Sequence, residues 1–390
     1  LSEGPRLGRL SSLARGLDSP RWAGAMAGIA ACLVAGARIV IEGHGNVSSF
    51  IVVGANHVQG RIPAGIPVIP GHGYDGQFYY RIALAPLNFS RTAYGIRMDT
   101  LSRFERVGYP VFAWLVGGGQ KQVIPWSLVL VNIVGLACLG ALGALMARDA
   151  RRHACWGLLL PGYFGFVWVL SRDLAEIVTA TFVVAGILAL RHTRYVLAAG
   201  AFSVAVLSRE TALLVIALVA LERPALSIGA WLQAKLAGSG RLVESTPDAR
   251  GTAPAFSWLA PAVVFVAWQI VVRVATGAWP LLTSGQHNVS IPLAGFVEGF
   301  RHYVGRLPST AALLWFAELL IFGVVVICAA RTLPTTSAPL YEQAAWLLYG
   351  IVDLSLAPGI WLGDVGFRSL DDLYVFSCII LLSSRRRLTV

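Results

Sequence analysis

The chain has 390 residues, 56% of them hydrophobic and only 13% charged, with 31 Lys and Arg against 20 Asp and Glu. That balance excludes an ordinary soluble domain and points to an integral membrane protein. The net charge of +11 does not indicate nucleic acid, because the arginines gather in short segments flanking apolar runs, the distribution expected of cytoplasmic loops.

In chain order, residues 1–21 carry Arg6, Arg9, Arg15 and Arg21 with Leu10, Leu13 and Leu17 at helical spacing, which reads as a basic cytoplasmic tail on an anionic leaflet. A signal peptide is the competing reading. The long basic region and the lack of a clear small-residue cleavage site favour an uncleaved first span at about 22–41. Residues 42–124 then form a long first extracytoplasmic loop with Pro63, Pro67, Pro70 and the polar-aromatic stretch 73–81. Within it, 109–119 is apolar but too short to cross alone.

A strong span at about 125–146 ends at the basic group Arg148, Arg151, Arg152 and His153. Apolar segments at 154–170 and 174–190 flank Ser171-Arg172-Asp173, and the second ends at Arg191-His192-Thr193-Arg194. Working back from the basic residues 385–387, spans at 373–383, 344–361, 311–330 and 256–275 leave 276–310 outside and 222–255 in the cytoplasm. Both ends of 195–221 then lie on the same side, which makes that segment a short hairpin with Ser208-Arg209-Glu210 at its outer tip. Val169 to Asp173 and Val206 to Glu210 share the pattern Val-Leu-Ser-Arg-acid, so both tips are expected to face one outer cavity.

The expected architecture is an all-α polytopic membrane protein of about 8–11 transmembrane or re-entrant helices. Its single transmembrane domain covers 22–384, with a cytoplasmic tail at 385–390. A β-barrel would show alternating segments of about ten residues, which are absent. Cys32, Cys138, Cys155, Cys328 and Cys378 lie inside apolar runs without CxxC spacing, and read as small core residues rather than a disulfide framework or zinc site.

This topology puts Asp75, Arg103, Arg106, Arg172, Asp173, Glu176, Arg209, Glu210, Arg368 and Asp371 at or near the outer side. Charges in apolar flanks are costly and usually face a cavity and pair. They are either salt bridges between short helices or a polar site for a charged substrate. Arginine suits phosphate through its planar fork, and a carboxylate in reach of a hydroxyl can take its proton. Tyr74, Gln77, Tyr79 and Arg81 surround Asp75 with groups able to orient a substrate, although aromatics here also fit an interfacial belt, and Asp75-Gly76 also fits a turn.

Tyr74 to Arg81 read Tyr-Asp-Gly-Gln-Phe-Tyr-Tyr-Arg. With Arg103, Arg106, Tyr109-Pro110, Arg172 to Glu176 and Ser208 to Thr211, the stretch resembles bacterial members of the polytopic GT-C glycosyltransferases. The likeness covers about the first two thirds of the chain. It implies a GT-C-like helical bundle that takes sugar from a polyprenyl-phosphate donor at the outer face of a bacterial plasma membrane, both termini being cytoplasmic. The acceptor would be a cell-envelope glycan or lipid. The resemblance makes Asp75 the catalytic base or a metal ligand. Gly76-Gln77 supply no second acid for an Asp-x-Asp pair, which favours transfer without a metal or other cofactor. Arg172 and Arg209, with Arg103, Arg106 and Arg368, would hold the donor phosphate, while Asp173, Glu176 and Glu210 would orient arginines or acceptor. The rival classes are a transporter or lipid-linked-sugar flippase using the same charges as a path, and a non-catalytic assembly subunit.

Overall fold

A computed structural model of the protein describes residues 16, 18–236, 253–283, 288–363 and 366–384. Expectations for 1–15, 17, 237–252, 284–287, 364–365 and 385–390 fall outside the described residues. The protein is an all-α polytopic membrane protein. Among the described residues, four helices are long and apolar enough to cross a bilayer: those starting at Pro20, Ile124, Phe256 and Thr310.

Helix α1 (Pro20–Ile41) is opened by Ser19, whose hydroxyl accepts the Trp22 N–H, and by Pro20 in the first turn. It buries a stripe of Ala23, Gly24, Ala27, Ala31 and Ala35. The small stripe lets α1 lie against a later span so closely that a Cβ on Gly24 would sit 2.9 Å from the Ala137 carbonyl oxygen. The long loop that follows holds α2 (Gly76–Leu84) and α3 (Gly108–Val116). It also has two pairs of two-residue strands, Val53–Gly54 with Val68–Ile69 and Thr92–Ala93 with Ile96–Arg97. At nine residues, α3 reaches only about 13 Å, so it cannot cross.

Helix α4 (Ile124–Asp149) is the central span, packed by α1 on one side. The segment expected to cross at 154–170 is instead a 3₁₀ turn (Ala154–Leu159), a break at Pro161-Gly162 and the short α5 (Gly165–Ser171). Proline there has no N–H for a helix ladder, which is why the apolar run does not form one rod. Helix α6 (Glu176–Arg191), α7 (Tyr195–Ser208) and α8 (Ala212–Leu236) follow. Next come α9 (Phe256–Thr276), α10 (Ala294–Val304), α11 (Thr310–Thr332), α12 (Leu340–Leu354) and α13 (Asp371–Leu382).

Two polar levels organise the bundle. At one, Arg191 at the end of α6 pairs with Glu342 and donates to the Ser383 hydroxyl, while Glu222 accepts the Tyr341 N–H. At the other lie Arg209 and Glu210, and Tyr349 on α12 donates to the Thr211 carbonyl at 2.9 Å. Both ends of 195–222 therefore lie at the first level and 208–211 at the second, the expected hairpin. Its arms are splayed: α7 packs on α6 and α9, and α8 mainly on α12. Helix α8 also continues to Leu236, through the start of the expected cytoplasmic loop.

The second level is recessed. Asn132, eight residues into α4, donates to the Leu174 carbonyl at 3.1 Å, and Trp268, eight residues before the end of α9, donates to Phe104 at 2.8 Å. At 1.5 Å per residue, that places the polar level about 12 Å inside the ends of these spans. The cysteines correct the sequence reading: only Cys378 is buried, and Cys32, Cys138, Cys155 and Cys328 are exposed on the outer surface of the bundle.

Candidate functional site

The motif around Asp75 is seated by two close backbone approaches. Gly73 has a left-handed backbone (φ 65°), and a Cβ on it would lie 2.3 Å from the Gly54 nitrogen. The Tyr74 N–H is held by the Val52 carbonyl at 2.9 Å. A Cβ on Gly76 would meet the Arg172 carbonyl oxygen at 2.2 Å, so Gly76 is needed for the start of α2 to touch the tip between α5 and α6. The Asp-Gly pair is thus a packing device that sets Asp75 beside Arg172, and Asp75 is the residue immediately before α2.

Asp75 is 21% exposed, and its Oδ2 takes Arg103 at 3.0 Å and Arg368 at 3.3 Å. Among the described residues no hydrogen bond reaches its Oδ1. Burial alone would raise this carboxyl, but the Arg103 and Arg368 guanidiniums outweigh it and hold Asp75 well below the usual carboxylate range. Each arginine has a second anchor. Arg103 bonds Asp99 at 2.8 Å and lies over the Phe78 ring, and Arg368 donates to Glu176 Oε1 at 3.1 Å. Glu176 opens α6, where the helix N-terminus favours its charge.

Arg172 differs from the others. Its guanidinium carbon lies 5.4 Å from the Tyr74 ring centre, which Arg368 also approaches at 5.2 Å. Among the described residues Arg172 is in no ion pair, and its buried Nε has no hydrogen-bond partner. A contact through the guanidinium face leaves the N–H edge free, whereas an ion pair would consume it.

The hairpin tip completes the cluster. Arg106 forms a fork with Glu210, at 2.8 Å from Nε and 2.5 Å from Nη2. Arg209 bonds Asp371 at 2.7 Å with Asp372 3.8 Å away. Tyr79 is buried within electrostatic range of Asp75 and Arg106. Asp75, Tyr74, Arg103, Arg172, Glu176 and Arg368 therefore share one cluster, with Tyr79, Arg106, Arg209 and Glu210 adjoining it.

Two expected site residues are engaged elsewhere, and a third is buried without a hydrogen-bond partner on its carboxylate among the described residues. Gln77 accepts the Gly54 N–H at 3.1 Å and donates to the His72 carbonyl at 2.8 Å, tying down the motif loop. Arg81 points away, bonding the Asn88 and Ser90 carbonyls and covering the Phe104 ring. Asp173 is fully buried with a left-handed backbone (φ 50°), and burial pushes its carboxyl well above the usual range. Arg209 has two aspartates as partners, so it is not a free cation.

Sequence reasoning passed over Asp99, Glu105, Asp372 and Arg38. Asp99 stood four residues before Arg103, a spacing that marks a pair. Arg38, on α1, lies within electrostatic range of Arg172 and Asp173, a juxtaposition no local pattern reveals.

An apolar groove of about 320 Å³ runs between α1 and α5, lined by Ala30, Ala31 and Val34 on one side and Phe166, Val167 and Leu170 on the other, and its lining reaches to two residues before Arg172. Among the described residues, no group of three or more His, Cys, Asp or Glu is arranged to hold a metal ion. No family model, curated protein or solved structure matches the chain. The glycosyltransferase resemblance rests on the motif residues themselves.

Proposed function

We propose that the protein is a membrane glycosyltransferase that moves a sugar from a polyprenyl-phosphate donor to a cell-envelope glycan or lipid at the extracytoplasmic face of a bacterial plasma membrane. One observation carries this reading: among the described residues, a carboxylate with one open oxygen shares a cluster with an arginine in no ion pair, and an apolar groove ends two residues before that arginine. A phosphate on the Arg172 edge would let an isoprenoid tail run down the groove between α1 and α5 while the sugar faces Asp75.

In the reaction, the acceptor hydroxyl gives its proton to Asp75 Oδ1 as its oxygen bonds to the anomeric carbon. The bond from that carbon to the phosphate oxygen breaks, and the lipid phosphate leaves with the electron pair, so the anomeric centre inverts. Arg103 and Arg368 fix Asp75 through Oδ2 and leave Oδ1 to the substrate. Because they keep it ionised, Asp75 is ready to accept but a weak base, so the proton moves only as the acceptor oxygen loses its electron density to the new bond. Arg172 stabilises the charge gathering on the leaving phosphate.

The test is to incubate purified protein with a labelled polyprenyl-phosphate sugar and an envelope-glycan acceptor. Release of lipid phosphate with label in the acceptor supports transfer. Movement of intact lipid across a vesicle, with no release, would overturn it in favour of a flippase.

A further inference from the structure

Glu105 lies between Arg103 and Arg106, yet it serves neither as a partner. It is 1% exposed, on the 3₁₀ turn Leu101–Glu105. Its Oε2 accepts from Gln269 of α9 at 3.1 Å, and its Oε1 is buried with no hydrogen-bond partner. Gln269 in turn accepts the Leu281 N–H at 3.3 Å, so the same side chain ties the turn after α9 to this wall of the site.

The charged groups around Glu105 are few. Glu210 faces it from the hairpin tip, Arg106 and Arg103 flank it on its own segment, α2 packs on the same turn with Tyr79 and with Arg81 over the Phe104 ring, α9 presents Trp268 and Gln269, and residues 280–283 bring no titratable side chain. Arg106 is already forked to Glu210. A second ionised carboxylate here would be buried next to a like charge with one oxygen unsatisfied, which is costly unless it keeps its proton.

We propose that Glu105 is a positioning residue of the site, a protonated carboxyl that leaves Glu210 as the carboxylate paired with Arg106 and whose ionisation lowers the positive potential offered to an anionic ligand. Burial, and then the Glu210 charge, push Glu105 up to about 7, so the change falls in the neutral range. The ligand part of the inference rests on the proposed lipid-phosphate site, whereas the protonation of Glu105 stands apart from it.

Two measurements on the full-length protein in detergent test this. The first is infrared titration of wild type against Glu105→Gln, which should show a protonated-carboxyl band present only in wild type and lost with a midpoint near pH 7. Absence of that band, or a midpoint in the ordinary carboxylate range, overturns the proposal. The second is binding of a farnesyl phosphodiester, whose single charge does not change over this range. Wild-type affinity should fall about threefold to tenfold from pH 6 to pH 8, the size of one added charge felt across the site at an effective dielectric of about 20. Glu105→Gln should hold the acid-side affinity throughout, and Glu105→Asp should restore the fall. Equal pH dependence in wild type and Glu105→Gln overturns the positioning role. No binding of the diester at any pH would sink the lipid-phosphate reading instead, and the infrared titration would still decide the state of Glu105.

Discussion

The two polar levels of the bundle use the same residue types to opposite ends. At the Arg191 level, Glu342 is 0% exposed and fully engaged: Oε1 accepts from Arg191 Nε at 2.9 Å and from the Tyr341 hydroxyl at 3.0 Å, and Oε2 takes the second arm of Arg191. Every group of that carboxylate has a partner, so it acts as a staple between α6 and α12. At the Asp75 level, ion pairs are more numerous but left open. Buried Glu176 Oε2, Asp371 Oδ2 and Glu105 Oε1 lack hydrogen bonds, and so does the Nε of Arg172. Buried ionic groups that are satisfied hold a fold together, while those left with spare donors and acceptors keep capacity for a ligand.

The comparison is broken most sharply at Asp75. Asp75→Asn should lower transfer by about a hundredfold to ten-thousandfold, the usual worth of a general base. The protein should still elute as a folded species in detergent, and wild-type turnover would remove Asp75 from the chemistry. Glu342→Ala should do the reverse. By stranding Arg191 it should cost about 3–5 kcal/mol of stability, read as a lowered thermal midpoint, while donor affinity per folded molecule is unchanged.

Within the open level, Arg172→Ala should weaken donor binding by roughly tenfold to thirtyfold, the scale of one charge-assisted contact, with little change in thermal midpoint. Arg209→Ala separates the two kinds of arginine, because it leaves Asp371 buried without a partner. It should lower stability more than Arg172→Ala does, and a donor Kd that changes more than stability would return Arg209 to the ligand-binding set. The smallest effect is expected at Tyr74. Tyr74→Phe should keep donor affinity, and Tyr74→Leu should lose about threefold to tenfold, since the ring face orders Arg172 and the hydroxyl does not enter the contact. Equal loss in both variants would show that the hydroxyl matters.

Much of this arrangement was legible in the chain. The spans at α1, α4, α9 and α11 follow from runs of apolar residues long enough to cross, and the hairpin tip at 208–211 follows from counting crossings back from the basic residues 385–387, although the splay of its arms does not. The proximity of Asp75 to Arg172 was reachable because both stand at breaks on one side of the membrane. The partners were not. Arg368 lies 293 residues from Asp75 and Glu210 lies 104 from Arg106, distances over which no spacing rule operates. Gln77 and Arg81 look like site residues in a motif, yet successive helix positions point to different faces, and theirs face the loop that supports the motif.

The sequence by itself determined that this is a helical membrane protein and which of its charges share a level, because an apolar run must be a helix in lipid and a charge within it must find a polar neighbour. Only the tertiary structure decided which of the described arginines at this level are spent in ion pairs and which are not. Arg209 looked as available as Arg172 along the chain, but α13 delivers Asp371 to Arg209, while among the described residues the Arg172 guanidinium has the ring of Tyr74 and no ion pair. That difference comes from which helix ends converge at the recessed level, and it is a property of the packed bundle.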